Sequence, residues 1–213
     1  MASKRMVSSL FALAFTAGCQ MAESADSAAR GEQVFTDYCQ PCHTPTGGGN
    51  ASIGAPAIAG LSEWYVDAQL RKFQLGYRGQ HFDDIEGMRM RPMALALRSE
   101  GEIEAVSTYV AAMPVVHNVH TVQGDIEAGE KHYATCAACH GPEAKGNETL
   151  NAPSLVQADD WYLERQIGKF QSGVRGARPG DTTGAQMAPM AATLKDDQAT
   201  KDVVAYIKSL SNP

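Results

Sequence analysis

Residues 38–50 read YCQPCHTPTGGGN, in which Cys39 and Cys42 are separated by two residues and His43 follows the second thiol directly. Residues 135–147 read TCAACHGPEAKGN and repeat the arrangement with Cys136, Cys139 and His140. The chain therefore uses one compact group of two thiols and an imidazole twice.

The likeness spreads outward from these stretches. Shifting the sequence by 97 positions lays Pro56 on Pro153, Trp64-Tyr65 on Trp161-Tyr162, Gln69 on Gln166 and Lys72-Phe73-Gln74 on Lys169-Phe170-Gln171. It continues through Arg78-Gly79 on Arg175-Gly176, Met90 on Met187, Pro92-Met93-Ala94 on Pro189-Met190-Ala191 and Tyr109 on Tyr206, with no gap after the first cysteine of each half. A repeat of this length implies two homologous domains, 30–113 and 125–213, joined by PVVHNVHTVQG at 114–124, which lacks helical periodicity and reads as an extended connector.

Each half offers three amphipathic helices. The first runs into the cysteine pair, the second carries Val66, Leu70 and Phe73 or Leu163, Ile167 and Phe170, and the third carries Val106, Tyr109 and Val110 or Val203, Tyr206 and Ile207. Ser62 and Asp159 or Asp160 are the expected caps of the second helix. Strand patterns are absent, so the fold class is all-α, with long Gly/Pro-rich loops between helices. About 90 residues arranged as three helices bury a marginal core, which calls for a bulky apolar group in the middle of each half.

Composition and the N-terminus narrow the setting. A 44% hydrophobic content in 213 residues suits a globular chain, and a formal charge of −6 leaves no basic surface for phosphate backbones, which excludes nucleic acid as a partner. Lys4 and Arg5 precede an apolar stretch, 6–18, that is too short to span a bilayer, so residues 1–18 read as an export signal. Thr16-Ala17-Gly18-Cys19 is similar to a bacterial lipobox, with Thr16 where leucine is usual. Cys19 is thus a candidate for lipidation, membrane attachment would follow from it, and residues 19–29 form a Ser/Ala-rich tether.

Three uses compete for Cys-x-x-Cys. A zinc site made from both pairs wants them roughly 15–20 residues apart, whereas here a domain repeat intervenes. A thioredoxin-like site wants a βαβ pattern, which is absent. The adjacent histidine is decisive, because Cys-x-x-Cys-His is the attachment signature of c-type haem: two thiols bond the porphyrin covalently and the next side chain becomes the proximal iron ligand. Cys39, Cys42 and His43, then Cys136, Cys139 and His140, predict two covalently bound haem c groups.

With these residues, the WY(V/L)xxQ(L/I)xKFQxGxRG segment and the MxPMAxxL segment, the chain resembles the class I cytochrome c superfamily, and most closely its dihaem cytochrome c4 branch, over nearly all of its mature length. One departure is internal: one residue fewer separates Gly129-Glu130 from Cys136 than separates Gly31-Glu32 from Cys39. The resemblance implies all-α domains, a periplasmic location, His/Met-ligated haems and electron transfer. The repeat excludes Met88 as a distal ligand, since its counterpart is Ala185, and Met90 and Met187 match the family's axial methionine. Met93 and Met190 are then expected to pack in the core.

Weaker candidates surround this set. Trp64 and Trp161 are read either as donors to haem propionates or as filler, and Arg78 and Arg175 either as propionate partners or as surface charge. His81, His117, His120 and His132 have no counterparts in the repeat and are expected outside the sites, and Gly47 to Gly49 reads as a flexible turn. The expected function is a periplasmic electron carrier between partners such as a quinol-oxidising complex and a terminal oxidase. The alternatives are a haem subunit of a dehydrogenase or oxidase complex and a dihaem peroxidase, the latter disfavoured by paired methionines in both halves.

Overall fold

The structure is a computed structural model, and it describes residues 27–211. The leader, the lipobox-like Cys19 and most of the tether lie outside them. Among the described residues the chain is helical, with two isolated antiparallel bridges, Asn50 with Ala55 and Asn147 with Ala152, in place of any sheet. In the first half, helix α1 covers 27–43, followed by α2 (Glu63–Gln74), α3 (Ile85–Ala96) and α4 (Glu100–Ala112). The second half repeats this order as α5 (Ile126–His140), α6 (Asp160–Gln171), α7 (Thr182–Ala191) and α8 (Asp197–Ser209).

The one-residue departure from the repeat has a local solution. Helix α1 contains a π turn at Phe35–Cys39, which takes up one extra residue, whereas α5 is α-helical throughout. Register is therefore kept on both sides of the insertion. Phe35 meets Tyr109 with ring centroids 5.4 Å apart and planes 46° apart, and Tyr133 meets Tyr206 at the same distance and angle. Gly31 and Gly129 allow these first and last helices to touch: a Cβ at Gly31 would stand 2.3 Å from the Ala105 carbonyl, and one at Gly129 2.0 Å from that of Asp202.

Each half buries its own core. Val34, Phe35, Leu70, Phe73, Leu97, Ile103, Val106 and Val110 form the first, and Tyr133, Leu163, Phe170, Leu194, Val203, Val204 and Ile207 lead the second.

Four helices per half replace the three expected from sequence. The additional ones, α3 and α7, contain Pro92 and Pro189, residues that normally end a helix because they lack an N–H. Both are capped at the N-terminus: Asp84 accepts from the Gly87 N–H and Asp181 from that of Gly184. The expected caps of α2 and α6 also work differently. Ser62 and Asp159 make no side-chain cap bond. Asp159 instead accepts from Ala57 N–H (2.7 Å) in the first half and from Asn118 Nδ2 (2.7 Å) in the connector, while Asp160 receives the Thr121 and Val122 N–H groups. These two carboxylates tie the connector to both domains.

Candidate functional site

Both cysteine motifs end the first helix of their half, so that the histidine is its last residue. His43 and His140 are buried, each only 7% exposed. His43 Nδ1 donates to the Pro56 carbonyl at 2.7 Å, and His140 Nδ1 to that of Pro153 at 2.8 Å. A carbonyl only accepts, so Nδ1 carries the proton in both rings and Nε2 keeps its lone pair. Burial, opposed by that carbonyl bond, holds both imidazoles below their ordinary 6.5. They are neutral at physiological pH, the form that binds a metal.

The loop after each motif folds back on the backbone carbonyl of the histidine itself. Gly49 N–H bonds the His43 carbonyl and Gly146 N–H that of His140, both at 2.9 Å. At Gly49 the backbone has φ +79°, and a Cβ would lie 2.5 Å from Ala57 N. At Gly146, φ is +86° and a Cβ would lie 2.6 Å from Ser154 N. Gly47 to Gly49 is therefore no flexible turn at its last position, where close approach to the proline segment demands glycine.

The thiols, the histidines and the methionines face a common cavity of about 360 Å³ that runs through both halves. Cys39, Cys42, His43, Met90 and Met93 line it on one side, and Cys136, Cys139, His140, Met187 and Met190 on the other. Burial, with a smaller contribution from Cys42, pushes the Cys39 thiol up to about 12, and burial raises Cys136 as well. Neither is held as a thiolate for metal binding or disulfide exchange.

The methionines divide differently from the sequence expectation. Met90 and Met187 pack against the two cores. Met93 and Met190, expected in the core, are each 38% exposed and line the cavity beside Met90 and Met187. Met88 is exposed and does not line the cavity. Trp64 and Trp161 are not among the lining residues either, whereas the adjacent Tyr65 and Tyr162 are. The signal was available: Tyr65, Gln69 and Phe73 recur at i, i+4 and i+8, one helical face, and Trp64 falls a step off it. His81, His117, His120 and His132 all lie off the cavity.

Arg78 and Arg175 are not surface charges. Both are buried, lie over Phe73 and Phe170 at 4.3 and 4.6 Å, and line the cavity where the two halves meet. Gln69 Oε1 accepts from Arg78 (2.8 Å) and Arg175 (3.0 Å), and Gln166 Oε1 from Arg175 (2.8 Å) and Arg78 (3.3 Å), so two amides bridge two guanidiniums. Neither arginine is ion-paired with a carboxylate among the described residues, and Arg78 Nε is buried without a partner. The cavity is thus apolar, is lined by thiols and an imidazole from each half, and holds buried cations that form no salt bridge among the described residues. Porphyrins bearing carboxylates match each of these features.

A cytochrome c family model matches residues 28–114 and again 126–211. The chain is 28% identical to the thiosulfate dehydrogenase electron acceptor of Stutzerimonas stutzeri (strain A1501) over 190 residues, covering 80% of this chain and 82% of that one. It is 27% identical to cytochrome c4 of Azotobacter vinelandii, covering 98% and 99%. Among solved structures, reduced recombinant cytochrome c4 from Pseudomonas stutzeri superimposes with a TM-score of 0.65 at 25% identity, covering 85% of this chain and 97% of that one. The chain belongs to the cytochrome c family, with two such domains in tandem, and carries two covalently bound haem c groups through its two Cys-x-x-Cys-His motifs.

Proposed function

We propose that this protein is a periplasmic dihaem electron carrier, with domains 30–113 and 125–213 each closing its iron between a histidine and a methionine. His43 and Met90 serve the first domain, His140 and Met187 the second. The observation that supports this reading is the shared cavity, one apolar space spanning the two domains that His43, Met90, His140 and Met187 all line. Haem supplies one-electron exchange between ferric and ferrous iron. The chain's own contribution is to hold neutral imidazoles by the Pro56 and Pro153 carbonyls, to bring thioethers from α3 and α7, and to place Arg78 and Arg175 against propionates.

Residues 1–18 act as an export leader and Cys19 as a lipid-bearing N-terminus on a tether that leads into α1, which covers 27–43 and so takes in the last residues of the expected 19–29 tether. This arrangement would keep the carrier at a membrane surface, exchanging electrons with partners such as a quinol-oxidising complex and a terminal oxidase. A second reading, a haem subunit serving a dehydrogenase, is favoured by the likeness to a thiosulfate dehydrogenase electron acceptor. In either case the protein relays electrons and turns over no substrate of its own.

A potentiometric titration of the purified holoprotein tests the carrier reading. Two one-electron steps per chain, with no turnover of added peroxide, are expected. A single step, or peroxide turnover by the wild type, would overturn it.

A further inference from the structure

The internal repeat provides its own control for surface residues, because whatever the fold requires should recur 97 positions later. One face fails to recur. Helix α3 exposes Ile85, Met88, Pro92 and Leu95 at helical spacing, with Arg89 and Met93 exposed between them. At about 100° per residue these six side chains fall within less than half of the helix circumference, while Gly87 and Ala94 are buried opposite. On α7 the same positions hold Thr182, Ala185, Pro189 and Ala192, with Gln186 in place of Arg89. Phe82, 74% exposed just before α3, stands where the second domain has Pro179.

Helix α7 forms without these large apolar groups, so the fold does not require them on α3. Contiguous exposed apolar surface of this kind marks an interaction site. Charge then selects the occupant. Arg89, Arg91 and Arg98 lie on or beside the face, and none makes a salt bridge among the described residues. Their counterparts are Gln186, Ala188 and Lys195. Arg89 gives one N–H to the Ile53 carbonyl (2.7 Å), but among the described residues no carboxylate neutralises any of the three guanidiniums. Three such charges around an apolar stripe, on a chain of net charge −6, complement a partner with carboxylates around an apolar patch. Arg89 and Met93 belong both to this face and to the cavity lining, so a partner seated here borders the first haem site.

We propose that the exposed face of α3 is the docking port through which the first domain exchanges electrons with one protein partner, whose contact surface is an apolar patch ringed by carboxylates. The inference rests on the carrier reading. Its test replaces the face with the second domain's own residues, Ile85→Thr, Met88→Ala, Arg89→Gln and Leu95→Ala, in the full holoprotein. Electron exchange is followed with ferricyanide and with the soluble and membrane fractions of the producing cell. Wild-type exchange with one fraction should slow as salt rises, and the fourfold variant should be at least tenfold slower with that fraction, while ferricyanide oxidation and both midpoint potentials stay unchanged. A second variant, Arg89→Glu with Arg98→Glu, should reverse the salt trend. A fourfold variant that matches wild type with every fraction overturns the port. So does one that keeps its rate but loses self-association in sedimentation, which would assign the face to a second copy, or loses flotation with phosphatidylglycerol vesicles, which would assign it to lipid. Wild type that exchanges with ferricyanide but with neither fraction overturns the port alone, and failure with ferricyanide as well overturns the carrier reading beneath it.

Discussion

Lys169 of the second domain places Nζ 2.6 Å from Oδ1 of Asp84, the residue that caps the methionine-bearing helix α3 of the first domain. The repeat returns the contact: Lys72 Nζ stands 2.6 Å from Oδ1 of Asp181, the cap of α7. Each domain thus helps to anchor the distal helix of the other. Lys169→Met should leave Asp84 buried with only its backbone donors and cost about 1–3 kcal/mol. Denaturant unfolding of the holoprotein would check this, and a loss below about 0.5 kcal/mol, the usual range for an exposed pair, would contradict it.

The same pair sets an acid limit. Burial alone would raise the Asp84 carboxyl, but the Lys169 ammonium, the Gly79 N–H and the Arg78 charge together hold it below its ordinary 3.8. A carboxylate depressed in the folded state contributes stability above its unfolded value and loses it as pH falls through the folded one. The interdomain contact should therefore hold from neutrality down to about pH 5 and weaken below about pH 4. Thermal midpoints across this range should fall less steeply for Asp84→Asn than for wild type, and equal slopes would exclude the role.

Gly49 and Gly146 bond the backbone carbonyls of the two histidines and lie against the proline segments whose carbonyls orient the rings. Gly49→Ala must adopt a positive φ and push on the backbone of Pro56 and Ala57, at a cost of at least about 1–3 kcal/mol. Gly48→Ala is the control, since its counterpart is Lys145 and a Cβ there meets only side chains. Chemical denaturation should separate the two, with the Soret spectrum changing at one haem in Gly49→Ala. Equal stability of both variants would contradict the account.

What the sequence made legible follows from how locally each feature is determined. Cys39-Gln-Pro-Cys42-His43 could be read because covalent attachment fixes its spacing, and the repeat revealed two domains because it runs without gaps from Cys39 to Tyr109. Helix α3 was hidden by Pro92, and its cap Asp84 is held by Lys169 of the other domain, a contact that local sequence does not specify. Asp159 and Asp160 carry a capping signature, yet their acceptors are taken by Ala57 and the connector, which no local pattern encodes. Arg78 and Arg175 were ambiguous for a similar reason. Each is held partly by the other domain, Arg78 by Gln166 and Arg175 by Gln69.

The anchor is tested separately from the fold. If Cys19 is acylated, mature wild-type protein should fractionate with membranes. Cys19→Ser behind an ordinary cleavable leader should release it in soluble form with both haems. Soluble wild-type protein that begins beyond Cys19 would rule the anchor out.

The central claim is that Met90 and Met187 close the two irons, and carbon monoxide binding to the reduced holoprotein tests it most directly. Wild type should bind none rapidly, because a thioether occupies each distal position. Met90→Ala should bind one equivalent per chain, Met187→Ala one, and the double variant two. Met93→Ala and Met190→Ala, which truncate partly exposed side chains, should behave as wild type. Rapid binding by wild type at either haem would show that iron to be open, and would contradict the carrier.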